Sequence, residues 1–230
     1  KVSGVGRLEG STFRIVQQTA NSSGQFISVA FKGKVYKFYL NLLGAFQGEN
    51  VILAVGLAIA AGASPDEVFS VLPKLSAPKG RLELVKEMSN GARVFVDYAH
   101  SPEALKKVLD SMRAHTFGDL SIVFGAGGDR DRGKRRIMGQ VVDSYADKAF
   151  LTDDNPRFED PSIIRGEIKR GCPNAIEISD RAEAILTAIS ELKPGDNLVV
   201  AGKGHETGQI VGSHVYPFDD TEQVSMSVDL

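Results

Sequence analysis

Hydrophobic and polar positions give this chain two textures. Up to about residue 40 the apolar residues fall in short runs rich in β-branched and aromatic side chains. These are Phe13-Arg14-Ile15-Val16, Phe26-Ile27-Ser28-Val29-Ala30-Phe31 and Val35-Tyr36-Lys37-Phe38-Tyr39-Leu40. Such runs suit a pleated, half-buried surface and predict strands. Asn21-Ser22-Ser23-Gly24 and Lys32-Gly33-Lys34 separate them, the second short enough for a hairpin turn. Residues 44–50 predict a loop that enters a helix over 51–63. Ser64-Pro65-Asp66-Glu67 starts another helix, with an N-cap, a proline at the first position and acids in the first turn; it ends near Pro73.

After Ser76-Ala77-Pro78-Lys79-Gly80, a linker by composition, the pattern alternates. The boundary is expected here, with domains at 1–80 and 81–230. Strands are predicted at 94–96, 120–124, 148–151, 175–178 and 198–201. Helices are predicted after Ser101-Pro102, over 133–145, from Pro161 to about Arg170 and after Ser179-Asp180, each with an apolar face at helical spacing. Strands alternating with amphipathic helices predict an α/β fold: a mostly parallel sheet, right-handed crossovers and helices on both faces. Gln209-Ile210-Val211 and His214-Val215-Tyr216-Pro217-Phe218 flank Gly212-Ser213, a hairpin expected to add an antiparallel edge to that sheet. A last helix should start near Asp219 and barely continue through Ser225 to Leu230.

Bulk properties exclude some classes. The net charge of −2 carries no footprint of nucleic-acid binding. The longest apolar stretch, 51–63, is interrupted by Gly56 and Gly62 and falls short of the ~20 residues of a membrane span, so no membrane insertion is expected. The single cysteine, Cys172, rules out an internal disulfide and suits a reducing compartment. Lys1-Val2-Ser3-Gly4 reads like the interior of something longer.

The polar motifs share one position, each following a predicted strand. They are Asp97-Tyr98-Ala99-His100, residues 125–135 (GAGGDRDRGKR), Thr152-Asp153-Asp154-Asn155-Pro156-Arg157 and Gly202-Lys203-Gly204-His205-Glu206. In a parallel sheet all four loops lie at the carboxyl ends of the strands, where ligands bind. Pro156 stiffens the third loop. Arg157 offers a fork for a carboxylate, and Asp153 or Asp154 can meet an ammonium, so the cluster suits a zwitterionic amino-acid group; a solvated surface turn is the bland alternative.

The other signals are weaker. Gly128-x-x-x-x-Gly133-Lys134 has the spacing of a phosphate-binding loop, but Arg135 stands where a hydroxyl should bind magnesium. Gly125 to Gly128 hints at a dinucleotide site, hence at an oxidoreductase, with broken G-x-G-x-x-G spacing; a tight turn against the sheet is the alternative. The cations from Arg130 to Arg136 can attract anions or simply be solvated. His100 and His205 can be bases, ligands or hydrogen-bonding residues, and no zinc spacing is present. Lys203 is a weak anion-contact signal. Cys172 reads as inert.

Taken with Gly80-Arg81-Leu82-Glu83, these motifs occur in this order in the Mur ligases, and the chain resembles that family from about residue 40 to residue 222. Within it, the resemblance is to the enzymes that add meso-diaminopimelate rather than L-lysine. It implies the end of a central ATPase domain followed by a Rossmann-like amino-acid-binding domain. It implies an ATP-dependent ligase of peptidoglycan precursor synthesis, cytoplasmic, bacterial and monomeric. Its substrates would be meso-diaminopimelate and UDP-N-acetylmuramoyl-L-alanyl-D-glutamate, joined through an acyl phosphate, with ATP and Mg²⁺ as cofactors. Asn50, Arg81 and Asp97 match ATP-binding positions, although Gln47 replaces an asparagine usual in the Asn50 loop. Arg130, Asp154, Asn155, Arg157, Gly202 and Glu206 match the meso-diaminopimelate site. The family's genuine phosphate loop, metal ligands and carbamylated lysine lie upstream, so no catalytic residue or metal ligand is expected here, and the piece alone should be inactive.

Overall fold

The computed structural model describes residues 4–228. The reading of Lys1 to Ser3 as the interior of a longer chain lies outside them. The chain forms two compact units, Lys1–Ser76 and Ala77–Leu230.

In the first unit, strands β1 (Val5–Gly6), β2 (Phe13–Asn21), β3 (Gly24–Phe31) and β4 (Lys34–Leu40) form one sheet in that order. β1 runs parallel to β2; the other neighbours are antiparallel. Helix α1 (Ala45–Ala60) follows, then α2 (Pro65–Val71) and a short 3₁₀ turn. Phe13 stacks on Phe31 and Tyr36 on Phe69, with Ile52 and Val55 buried on α1. The expected loop over 44–50 is helical from Ala45 onward. Gly44 makes the turn at a φ of 88°. Gly48, which looks like a loop residue, belongs to the helix because Gln18 and Ile27 crowd it; a Cβ there would come within 2.5 Å of Gln18 Nε2.

The second unit holds a six-stranded sheet. Its strands are β5 (Glu83–Glu87), β6 (Arg93–Asp97), β7 (Leu120–Phe124), β8 (Lys148–Leu151), β9 (Ile176–Glu177) and β10 (Asn197–Ala201). The order is β5-β6-β10-β7-β8-β9, parallel from β6 to β9. Helices α3 (Pro102–Arg113), α4 (Gly133–Tyr145) and α5 (Pro161–Lys169) pack in sequence as one layer. After β9 the chain turns back through α6 (Arg181–Ser190) to insert β10, and α6 packs with α7 (Asp220–Val228). Right-handed crossovers running in opposite directions put the two helix layers on opposite faces. The central strands are wholly buried, so their sequences are continuous apolar runs. Val94, Val96, Leu198, Val200, Val123 and Phe150 face α6 and α7. Phe95, Val199, Ile122 and Phe124 alternate with them, toward α3 to α5. β7 and β10 are neighbours whose following segments depart to opposite faces, which opens a crevice at their carboxyl ends.

Two details differ from the sequence reading. The antiparallel edge is β5, not the closing hairpin; Glu83-Leu84-Val85-Lys86-Glu87 is half polar because an edge strand is half exposed. The hairpin, β11 (Gly208–Val211) and β12 (His214–Pro217), pairs as its own ribbon. β11 bridges instead to the loop after β8: Arg157 N donates to Ile210 O, and Gly212 N donates to Arg157 O. The last helix also runs through the expected weak tail to Val228.

Candidate functional site

The loops after β6, β7, β8 and β10 meet at the carboxyl edge of the sheet. Glycines let them approach. A Cβ on Gly125 would strike the Thr152 carbonyl oxygen, and one on Gly128 would strike that of Pro156. A Cβ on Gly127 would sit 2.7 Å from Arg157 Nη1. The glycine run therefore packs against the backbone of residues 152–156, a space a pyrophosphate cannot share. Nor is the stretch from Gly128 to Lys134 a phosphate cradle. Asp131 Oδ1 already accepts from Gly133 N at 2.8 Å, at the start of α4.

The charge-rich start of α4 is mostly paired internally. Arg135 is fully buried; Nη2 and Nη1 meet Glu159 Oε1 and Oε2 at 2.8 and 3.0 Å, and Nη1 meets Glu167 at 2.7 Å. Arg132 joins the same glutamate at 2.7 Å. Hydrogen bonding to Arg135, together with the Asp129 N–H and Arg132, holds the Glu159 carboxyl down at about 2. Of the cations expected to attract anions, Arg130 is exposed, with its Nη1 on the Asp129 carbonyl at 3.1 Å. Arg130 and Arg157 flank Gly127.

In the β8 loop the two aspartates part company. Asp153 is bound by Arg165, which also reaches Glu177. It is thus committed to an internal ion pair, and of the two carboxylates offered to an ammonium only Asp154 is left. Asp154 is buried on the crevice side, where a Cβ on Gly202 would come within 2.5 Å of its Oδ2. Gly202 also has a φ of 120°. Both facts exclude a side chain there. Asn155 Nδ2 donates to Glu206 Oε2 at 3.1 Å, while its Oδ1 accepts from Ile210 N and from Lys203 Nζ, both at 2.9 Å. Lys203 is wholly buried and reaches the Gly208 carbonyl at 2.8 Å. The expected anion contact at Lys203 is therefore wrong: it faces two oxygens inside the loop layer. Burial pushes its ammonium below the usual lysine range, against the pull of Asp154. Arg157 sits at a φ of 52° and donates from Nη1 to Gly128 O at 2.8 Å and to Asn155 O at 3.4 Å.

A second cluster surrounds Tyr98. Asp97 ends β6, and its carboxylate oxygens accept from Leu82 N at 2.7 Å and from Ala99 N at 2.8 Å. Burial raises its carboxyl, and the two backbone donors oppose the rise. Asp97 thereby holds the turn that carries Arg81, whose guanidinium lies 4.5 Å from the Tyr98 ring centroid. His100 and His205 flank the same ring, and Lys134 Nζ donates to the His100 carbonyl at 2.8 Å. Asn50 lies in the other unit, exposed on α1, with Nδ2 3.3 Å from Gln47 Oε1.

Sequence reading missed Glu159, Arg165 and the buried pair Arg181–Asp220. Arg181 Nε and Nη2 each meet Asp220 at 2.7 Å, and Nη2 also bonds the Ala201 carbonyl at 3.0 Å. The only local signal was their position as charges beside helix starts. Cys172 is buried, and burial raises its thiol to about 11, which keeps it inert. Among the described residues there is no group of three or more His, Cys, Asp or Glu that could hold a metal ion, and no helix long and apolar enough to cross a membrane.

Residues 80–204 match the family described as Mur ligase, glutamate ligase domain. The chain is 48% identical over 221 residues to UDP-N-acetylmuramoyl-L-alanyl-D-glutamate–2,6-diaminopimelate ligase of Caulobacter vibrioides, covering 96% of this chain and 46% of that protein. It is 49% identical over 219 residues to the protein of the same name from Bradyrhizobium diazoefficiens, covering 95% and 45%. Among solved structures, one of a ligase of that name superposes with a TM-score of 0.72 at 35% identity, over 96% of this chain and 46% of the other. A Mycobacterium tuberculosis folylpolyglutamate synthase superposes at 0.68 with 22% identity, over 84% of this chain and 46% of that one, which shows a shared fold. The chain spans about half the length of the relatives it matches.

Proposed function

The chain belongs to the Mur ligase family, and from that premise we propose that it is the C-terminal part of an ATP-dependent ligase that adds meso-diaminopimelate to UDP-N-acetylmuramoyl-L-alanyl-D-glutamate in the bacterial cytoplasm. Residues from about 81 onward form the amino-acid-binding domain in this reading, and residues before it the end of the ATPase domain. One observation carries the choice of amino acid. Arg157 and Arg130 both lie beside Gly127, Asp154 lies against Gly202, and Glu206 is bonded to Asn155, so the loops after β7, β8 and β10 bring two cations and two carboxylates to one edge of the sheet. Meso-diaminopimelate has a second amino-acid end, one carboxylate and one ammonium, that lysine lacks.

ATP, bound with Mg²⁺, supplies the phosphoryl group that activates the D-glutamate carboxyl as an acyl phosphate. In this reading, as the family resemblance implies, the metal ligands lie outside this chain. The work of this unit is positioning: it presents one amine of diaminopimelate to the activated carboxyl by gripping the far end. Arg157 and Arg130 take the far carboxylate, and Glu206, oriented by Asn155, takes the far ammonium. Lysine would leave the arginines without an anion in a partly buried site, and this is how a polar pocket rejects an analogue. In this reading Arg81, which lies over Tyr98 next to the turn held by Asp97, meets phosphate charge.

ADP release by the full-length protein with UDP-N-acetylmuramoyl-L-alanyl-D-glutamate tests the reading. Turnover with meso-diaminopimelate should exceed that with L-lysine by at least about a hundredfold. Equal rates would overturn the assignment in favour of a lysine-adding ligase. An oxidoreductase has no support, because Gly125 to Gly128 are filled by the neighbouring loop.

A further inference from the structure

We propose that Lys203 is a positioning residue of this site: its ammonium fixes which way the Asn155 amide faces, and through that amide it aims Glu206. The inference rests on the amino-acid-site reading above.

The two ends of an asparagine amide have nearly the same shape, so only their partners decide the orientation. At Asn155 two donors, Lys203 Nζ and Ile210 N, converge on one atom, each at 2.9 Å, which makes it the oxygen. The nitrogen is then forced toward Glu206 Oε2, 3.1 Å away. This anchors one carboxylate oxygen of Glu206 and leaves the other for a ligand. Lys203 also holds the Gly208 carbonyl at 2.8 Å, and Glu206 N donates to Lys203 O at 3.0 Å, so the same residue fixes both ends of the turn that carries Glu206. It is completely buried and lies between Gly202, at a φ of 120°, and Gly204, at 57°. Enclosed in this way, it reaches a ligand only through Asn155. Stability alone would favour an apolar residue here, since a buried ammonium loses its hydration.

The test uses the full-length ligase and Lys203→Met, which keeps an unbranched side chain one heavy atom shorter and removes the donors. The KM for meso-diaminopimelate should rise about tenfold, the effect of one lost charge-assisted contact, while the KM for ATP stays within about a factor of two. The preference for meso-diaminopimelate over L-lysine should fall with it. In a Glu206→Gln background Lys203→Met should cost less than about threefold, because the relay then ends on a group already removed. An unchanged KM for diaminopimelate, equal losses for ATP and diaminopimelate, or additive losses in the double variant would each overturn the relay. If Lys203→Met does not fold, Lys203→Gln, which keeps a polar group in the buried position but is too short to hold both Asn155 Oδ1 and the Gly208 carbonyl, carries the same cycle. A wild type that fails to distinguish diaminopimelate from lysine removes the underlying reading; a discriminating wild type with an indifferent Lys203→Met removes only the relay.

Discussion

Arg157 Nη1 donates to the carbonyl oxygen of Gly128 at 2.8 Å, across the seam between the loops that follow β7 and β8. The arginine does so from a backbone φ of 52°, a region that costs an L-residue roughly 1–2 kcal/mol. Hydrogen bonds to Ile210 and Gly212 on the hairpin hold that backbone on both sides. Contacts from the β7 loop and from the hairpin thus offset the strain at Arg157.

Arg157→Ala in the full-length enzyme is accordingly expected to abolish use of meso-diaminopimelate while leaving ATP affinity nearly unchanged. Arg157→Lys should not restore it, because one ammonium cannot bond Gly128 and also present a planar fork. Steady-state KM values for both substrates decide; recovery with lysine would argue against bidentate recognition.

Gly128→Ala should destabilise the C-terminal unit by about 3 kcal/mol, the upper range of overpacking. Its new Cβ would overlap the Pro156 carbonyl oxygen, which is backbone and cannot swing away. Gly166→Ala, on an exposed part of α5 with nothing within 4 Å, is the control and should be neutral or slightly stabilising. Denaturant midpoints at equal m-values compare the two.

Glu159 contributes an acid-sensitive component of stability. Its carboxyl lies at about 2 in the folded protein, below its ordinary value of 4.5. A depressed folded value stabilises above the unfolded value and is lost as the pH falls through the folded one. Glu159→Gln should therefore be less stable than wild type at neutral pH, and the gap should close between about 4.5 and about 2. Thermal midpoints across that range check it; a gap independent of pH would assign the loss to packing instead.

Arg181 and Asp220 form a fully buried bidentate pair between α6 and α7. Arg181→Met alone strands a buried carboxylate and should cost about 3–5 kcal/mol, whereas Arg181→Met with Asp220→Leu should recover most of that loss. Additive losses in a double-mutant cycle would contradict the pairing.

Much of this architecture was legible in local pattern. The runs at 94–96, 120–124, 148–151 and 198–201 became buried strands because parallel strands covered on both faces are continuously apolar. Glu83–Glu87 was not legible because an edge strand alternates too weakly to stand out, and residues 45–50 were not because Gly48 reads as a loop glycine, whereas Gln18 and Ile27, packed against the helix, are what require glycine there. The convergence of the Asp97, Gly125, Asp154 and Gly202 loops followed from strand alternation alone, since equivalent ends of parallel strands share an edge.

By itself, then, the sequence determined the α/β class, the family and the edge that carries the polar loops, because periodicity, turn chemistry and motif order are properties of neighbours along the chain. Which charges remain for a ligand was decided only by the tertiary structure. Asp153 is taken by Arg165, Arg135 by Glu159 and Glu167, and Lys203 by Asn155 and Gly208, while Arg130 stays exposed and Glu206 is held by one oxygen. The hairpin likewise left the sheet edge to brace Arg157. A charge is neutralised or left available by whatever the fold brings within about 3 Å of it, and those partners come from distant parts of the chain.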